Sequence, residues 1–288
     1  MYNVSVEELK QEFIEKFHCE KLLEIDNIDE LTATFRCKRN PTMEEHIIKD
    51  ALDEDKSNES RHYIVKDNND NFVFYFSLRC GLLSKPLDDS QTKLYNKMPE
   101  IITALDSGEY GKVQEIAQEI GISSDKIVCR INSYTKKAAL YTREMSIETE
   151  KSVYRVSQSM PSVELVQFCA NSNYEEEWKK LNFPIPLGAS VFWFLIIPIV
   201  KKIQDMIGCE YVHLFAADMS DELTLCSYYS NDLGFQYIEN LATFKPFYDF
   251  TCIAMYLNTK NIDNLMREKI GYLLNDVDAA LEKDIGDI

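Results

Sequence analysis

Residues 163–235 leave little freedom in how they can fold. An apolar run VELVQFC (163–169) leads to a glycine turn PIPLGAS (184–190) and a long apolar helix from about 190 to 207. YVHLFAA (211–217), a helical stretch over about 221–232 and the ending YYSNDLGF (228–235) follow. A strand that returns to its sheet through a helix runs parallel to its predecessor, so this order implies an α/β sheet with at least one parallel pair. A glycine turn at a helix start gathers backbone N–H groups and the positive helix end at one spot, which suits a phosphate-bearing cofactor.

Upstream, VSVEELKQEFIEKF predicts an amphipathic helix over 5–17, opened by a Ser5/Glu8 capping box, with Val6, Leu9, Phe13 and Phe17 on one face. The alternation in LTATFRCK (31–38) predicts a strand, followed by an acidic helix from Met43 to Asp55. HYIVKD (62–67) and FVFYFSLRC (72–80), joined by the cluster Asn68 to Asn71, predict a β-hairpin. Residues 84–152 turn to charged helical segments, with stops at Gly111 and Gly121 and a start at Ser123, Ser124 and Asp125. They are expected to form a helical insertion, as a lid or as decoration, within a domain spanning 1–260. Strands follow near 235–238 and at 250–257. Residues 261–288 predict a separate amphipathic helix with Leu265, Ile270, Leu273, Leu274, Val277 and Leu281 on its apolar face and seven acids against three bases. It reads as a solvated capping helix or as a partner or homodimer helix.

A chain of 288 residues with 45% hydrophobic content can bury a substantial core. A formal charge of −17 repels phosphate backbones and anionic lipid, so neither nucleic acid nor membrane is an expected partner. The eight cysteines form no CxxC pair and several lie in apolar runs, which favours reduced, buried thiols over disulfides or zinc. No metal is expected. The apolar run VFWFLIIPIV (191–200) is too short to span a bilayer and contains Pro198, and the charged N-terminal helix is no targeting signal, so a cytoplasmic location is expected.

The hairpin FVFYFSLRC, the strand VELVQFC, the turn with Gly188, Ala189 and Ser190, the strand YVHLFAAD and the ending YYSNDLGF together resemble the GNAT acetyltransferase superfamily over about two thirds of the chain. The resemblance implies an α/β (α+β) fold: a mixed, mostly antiparallel sheet flanked by helices. It also implies acetyl-CoA as cofactor. The family's pyrophosphate turn reads Gln or Arg, two residues, Gly, one residue, then Gly or Ala; the matching positions here are Ile185, Gly188 and Ser190. By this likeness Leu187, Gly188, Ala189 and Ser190 bind the diphosphate, and the backbones of Phe168, Cys169 and Ala170 face the pantetheine arm where the strand at 163–169 splays from that at 211–216.

The implied reaction is attack of a neutral amine on a thioester. It needs positioning, oxyanion stabilisation and a proton for the departing thiolate. The family's Tyr acid stands four residues before the LGF glycine; here that position is Ser230, so Tyr229, five before Gly234, is the candidate acid and Tyr228 the second. Glu164 is a carboxylate in an otherwise apolar strand, either a general base or a hydrogen-bonded structural acid. His213 is a proton relay or a satisfied core histidine. Asn171, Asn173 and Tyr174 line an acceptor pocket or serve turn chemistry, and Asp218 caps the next helix or binds an amine. The leading reading is an acetyl-CoA-dependent N-acetyltransferase with a small-molecule or protein amine as acceptor. The alternative is a non-catalytic acyl-CoA-binding or interaction module of the same fold. A doubly wound nucleotide-binding domain ranks last, because neither GxGxxG nor GxxxxGK[ST] occurs.

Overall fold

The computed structural model describes residues 5–131, 156–218, 220–244 and 251–286, with side chains left undescribed at 129–131 and from 276 onward. Parts of the expected 84–152 insertion, Phe250 and the side chains of Val277 and Leu281 therefore lie outside the described residues.

The first helix, α1 (Val6–Lys16), begins as its sequence dictates. The Glu8 N–H donates to Ser5 Oγ at 3.2 Å and the Ser5 N–H to Glu8 Oε2 at 2.7 Å, closing a reciprocal box. Phe17 leaves the helix and opens β1 (Phe17–Lys21), a strand that the helical spacing of Phe17 concealed. Three short helices follow: α2 (Ile28–Thr32), α3 (Thr42–Lys49) and α4 (Ala51–Lys56). The strand expected over 31–38 is corrected here: its first residues end α2 and the rest form a loop. Phe35 and Cys37 are buried from that loop, Phe35 stacking on Phe72 at a centroid distance of 4.9 Å, so the alternation records burial without a pairing edge.

The hairpin is present as β2 (Arg61–Asp67) and β3 (Phe72–Lys85), paired antiparallel. Residues 72–78 of β3 are all buried because both faces are covered. Phe74, Phe76 and Leu78 join the main core, whereas Phe72 and Tyr75 join a second cluster with Phe35, Met43 and Ile47.

The chain divides into two compact units. One comprises Met1–Leu83, Met160–Glu239 and Thr243–Ile288; the other comprises Ser84–Ser159 and Asn240–Ala242. In the second, α5 (Asp89–Asp106), α6 (Tyr110–Ile120) and α7 (Ser124–Ile131) gather around Leu94, Ile101, Val113, Ile116 and Ile127. Gly121 ends α6 with φ +70°, as its sequence suggests, but Gly111 lies inside α6 and is no stop.

The remaining elements are β4 (Gln158–Ala170), α8 (Glu175–Leu181), the continuous helix α9 (Leu187–Ile207) and β5 (Tyr211–Ala216). After them come α10 (Thr224–Asn231), β6 (Gln236–Tyr237), β7 (Ala242–Thr243), β8 (Ile253–Asn258) and α11 (Ile262–Gly286). The eight strands run in the order β1-β2-β3-β4-β5-β8-β6, with β7 beside β3. The β1/β2, β2/β3, β5/β8 and β6/β8 pairs are antiparallel and β4/β5 is parallel, so the sheet is mixed, mostly antiparallel and flanked by helices, as the GNAT resemblance implies.

The 191–200 apolar run belongs to a 21-residue helix, longer than the run alone suggested and long and apolar enough to cross a membrane by length and composition. Here α9 buries Phe192, Trp193, Phe194, Ile196, Ile197 and Val200 in the main core. A π-turn over Phe192–Ile196 interrupts its α-helical winding.

Phe13, with no exposed surface, packs its ring against those of Phe17, Phe183 and Phe194 at 4.8, 5.8 and 5.6 Å. Phe13→Ala is expected to destabilise the chain by about 3–5 kcal/mol in denaturant unfolding, since it removes a fully buried ring and leaves a cavity.

Candidate active site

The parallel pairing of β4 with β5 covers three rungs, Ser162 with Tyr211, Val163 with Val212 and Glu164 with His213. β4 continues to Ala170 and β5 to Ala216, so beyond Glu164 and His213 the two strands part. A cavity of about 400 Å³ opens there. Glu164, Leu165, Val166 and Gln167 supply one side, Phe215 and Ala217 the other, and Met43, His46 and Asp50 approach from α3 and its end. Its size falls in the range that takes small ligands.

Glu164 marks the point of parting. It is 6% exposed, and Arg79 on β3 holds it with two N–H donors, Nε at 2.9 Å and Nη2 at 2.7 Å. His213 Nε2 lies 3.5 Å from its other side. Burial pushes the Glu164 carboxyl up, but His213 and Arg79 outweigh it, and the net result is a carboxyl held below its ordinary value. Of these two partners the bidentate guanidinium has the better geometry. A carboxylate so held is a poor proton acceptor, so its place is first that of an anchored anion. His213, 1% exposed, rests its ring on Gly81, where any Cβ would collide with it. Glycine at this position is therefore what lets the imidazole reach Glu164.

The glycine corner is built differently from the expectation. Pro186 starts α9 without a side-chain cap, leaving the first-turn N–H groups of Leu187, Gly188 and Ala189 unclaimed by any capping side chain. Ser190 is fully buried, and both its N–H and its hydroxyl donate to Pro186 O, at 2.9 and 3.0 Å. It is committed inside the helix and is no N-cap. The Tyr228 hydroxyl rests directly on Gly188, with Phe168 close behind, so these side chains fill the space in front of the turn. None of Phe168, Cys169, Ala170, Leu187, Gly188, Ala189 and Ser190 lines the cavity, which lies further up β4 at Glu164–Gln167.

Tyr229 is 8% exposed and packs against Phe168 and Phe235, with ring centroids at 6.3 and 6.0 Å. Burial raises its phenol pKa, Arg39 opposes this, and Cys169, Cys226 and Asp218 add to it. The ring contact with Phe168 sets Tyr229 beside the last residues of β4. Burial likewise raises the Tyr228 phenol well above its ordinary value, so both hydroxyls stay protonated donors. Gly234, at φ +77°, makes the turn that returns the Phe235 N–H to Tyr229 O at 2.9 Å.

The acceptor residues expected from sequence have internal partners. Asn171, 3% exposed, accepts from the Arg36 and Asn173 N–H groups at 3.0 and 3.1 Å and donates to Phe72 O at 2.8 Å. Asn173 donates to Thr34 O at 2.9 Å, and the Tyr174 hydroxyl donates to Asp67 Oδ2 at 3.0 Å. Asn171 and Asn173 latch the 34–36 loop to the ends of β3 and β4, Tyr174 ties to the end of β2, and none of the three lines the cavity. Asp218 accepts from the Cys226 N–H at 2.8 Å and from the Ser220 hydroxyl at 2.6 Å, bracing the start of α10. Two residues around the parting strands escaped the sequence reading: Arg79 and Cys37. Cys37 Sγ lies 2.8 Å from Cys169 Sγ, and the Cys169 contact brings its thiol down to about 6. No local pattern reports these pairings, because each partner comes from a distant segment.

No family model matches the chain, and no curated protein does. Among solved structures, the chain is similar to AtaTR bound with AcCoA, at 13% identity over 87% of this chain and 98% of that one, with a TM-score of 0.49. It is also similar to AtaT complexed with acetyl-methionyl-tRNAfMet (13%, 87% and 99%, 0.44) and to the AtaT-AtaR complex bound to DNA (12%, 86% and 98%, 0.41). At these identities and scores the likeness decides nothing about this chain's activity. The expectation that nucleic acid is no partner is corrected: one of these similar structures is complexed with a tRNA and another is of a two-protein complex bound to DNA. The restriction of the acceptor to a small molecule or protein goes with it. Net charge averages over a whole surface and does not describe a local one.

The Glu164 carboxylate stabilises the fold above the ordinary carboxyl value, and that contribution is lost as pH falls through its lowered native value. Arg79→Met strands a buried anion and is expected to destabilise by about 3–5 kcal/mol at neutral pH. Thermal unfolding against pH should show the gap to wild type narrowing in acid, as Glu164 protonates.

Proposed function

We propose that this chain is an acetyl-CoA-dependent N-acetyltransferase. The observation that carries the reading is the parting of β4 from β5 after Glu164 and His213, with a cavity bounded by both strands. Beyond the last rung the β4 backbone has an edge no longer paired to β5, and an extended arm bearing amides is the ligand that such an edge recognises. The uncapped first turn at Leu187–Ala189 adds amides and a positive helix end for the diphosphate. Binding there requires the Tyr228 side chain to move off Gly188 or to share the anion through its hydroxyl.

In this reading Leu165, Val166 and Gln167 flank the thioester arm and Tyr229 protonates the departing thiolate from beside the end of β4. The amine attacks as the free base and loses its proton to water as the C–N bond forms and the C–S bond breaks, while Glu164, fixed by Arg79, accepts a hydrogen bond from it and orients it toward the thioester. Positioning of two bound reactants supplies most of the acceleration. One observation favours the non-catalytic acyl-CoA-binding module as a second reading: the carboxylate beside the cavity, Glu164, is locked by Arg79 and is a poor base.

Release of free thiol from acetyl-CoA, followed with a panel of aminoacyl-tRNA, polyamines and lysine peptides, separates the readings. Thiol release dependent on one acceptor supports the transferase; cofactor binding without release under any acceptor supports the module; no binding by calorimetry removes both. Tyr229→Phe is expected to lower turnover on the order of 10² to 10⁴-fold with little change in acetyl-CoA affinity.

A further inference from the structure

A second cluster of chemistry-bearing side chains sits below α3. His46 from α3, Glu54 from α4 and His62 from β2 bring one ligand atom each to within 4.8 Å of one another. His62 is fully buried, and the side chains of His46 and Glu54 are 18% and 29% exposed. His62 Nε2 stands 3.2 Å from Glu54 Oε2, and His46 Nδ1 stands 3.8 Å from Glu54 Oε1. Two donors bonded to zinc at about 2.0–2.1 Å in a tetrahedron stand about 3.3–3.4 Å apart. The His62–Glu54 separation matches that edge, and His46, 3.8 Å from Glu54 and with its ligand atom within 4.8 Å of the others, must move inward to complete the set.

Two further observations point to a ligand. His62 Nε2 is buried without a hydrogen-bond partner among the described residues, so its 3.2 Å approach to Glu54 is not made at a hydrogen-bonding angle. The other ring nitrogen of His62, Nδ1, lies 2.6 Å from the Tyr75 hydroxyl, itself buried in β3. With Nδ1–H donating to that hydroxyl, the Nε2 lone pair faces a carboxylate oxygen. Two acceptors in that relation are held together by a cation between them, and an outer partner on the far nitrogen is the usual way a ligating histidine is oriented.

We propose that His46, Glu54 and His62 bind one divalent transition-metal ion of the zinc class, with Tyr75 as the positioning residue behind His62. Two imidazoles and one carboxylate are a donor set that zinc and cobalt favour over magnesium or calcium. The fourth position belongs to water or to Asp50, whose Oδ2 is 3.7 Å from His46 Nδ1. Because His46 and Asp50 also line the cavity, the ion ties that wall to β2. The proposal stands independently of the transferase reading.

The test is titration of the metal-free full-length protein with Co²⁺, read by visible absorbance. One equivalent should give d–d bands without a thiolate charge-transfer band, and Zn²⁺ should displace it and raise the thermal midpoint. His46→Ala, whose side chain is partly exposed, should abolish the bands while circular dichroism stays native. Tyr75→Phe should retain the site with affinity lower by about 10–100-fold, as loss of an outer partner does. Absence of d–d bands in the wild type overturns the proposal. So does a thiolate band that places the ion on cysteine, or binding that survives His46→Ala.

Discussion

A parallel strand pair that stops after three rungs needs something at its last rung to keep the pairing in place and the gap open. Here Arg79 fills that position. Its guanidinium reaches from β3 to Glu164 with two short hydrogen bonds, and Glu164 faces His213 across the final rung. A carboxylate 6% exposed cannot shed this partner without an uncompensated buried charge, so the register at the vertex is pinned. Gly81 completes the arrangement by leaving its Cβ volume to the His213 ring. The cavity, the free strand edge and the proposed ligand path all start from this one rung.

The aromatic corner at Gly188 is the counterpart at the far end. Tyr228, Tyr229, Phe168 and Phe192 form a packed patch where the first turn of α9 meets α10. In a low-dielectric setting the buried phenols remain neutral and keep their hydroxyl protons. The same packing makes entry at that corner dependent on side-chain movement, whereas the cavity beside Glu164 is already open.

Much of the fold was legible because local signals agreed with the global one. The Ser5/Glu8 box, the Asn68–Asn71 hairpin turn and the strand at Tyr211–Ala216 all stand where spacing places them. The 31–38 alternation misled because period-two burial arises equally from a loop whose Phe35 and Cys37 are drawn into a core. β1 was hidden because Phe17 satisfies the helical face of α1 as well as the first strand position. Glu164 was visible as an anomaly, but its partner was not: Arg79 is 85 residues away, and charge pairing at that distance leaves no periodic trace. Asn171, Asn173 and Tyr174 had two readings in sequence, and only their hydrogen-bond partners separate a latch from a pocket wall.

The π-turn in α9 carries a consequence for how that helix may vary. One additional residue wound into a single turn rotates everything after it by roughly 100° relative to an uninterrupted helix. That offset allows Phe192, Trp193 and Phe194, adjacent in sequence, all to be buried while Val200 still points into the core two turns later. Removing one residue from this segment would let an ordinary α-turn replace the π-turn and leave Ile197 and Val200 facing the core, whereas removing one just after it would bring Lys201 to the place where Val200 now packs. Length variation in this helix is thus constrained by phase rather than by span.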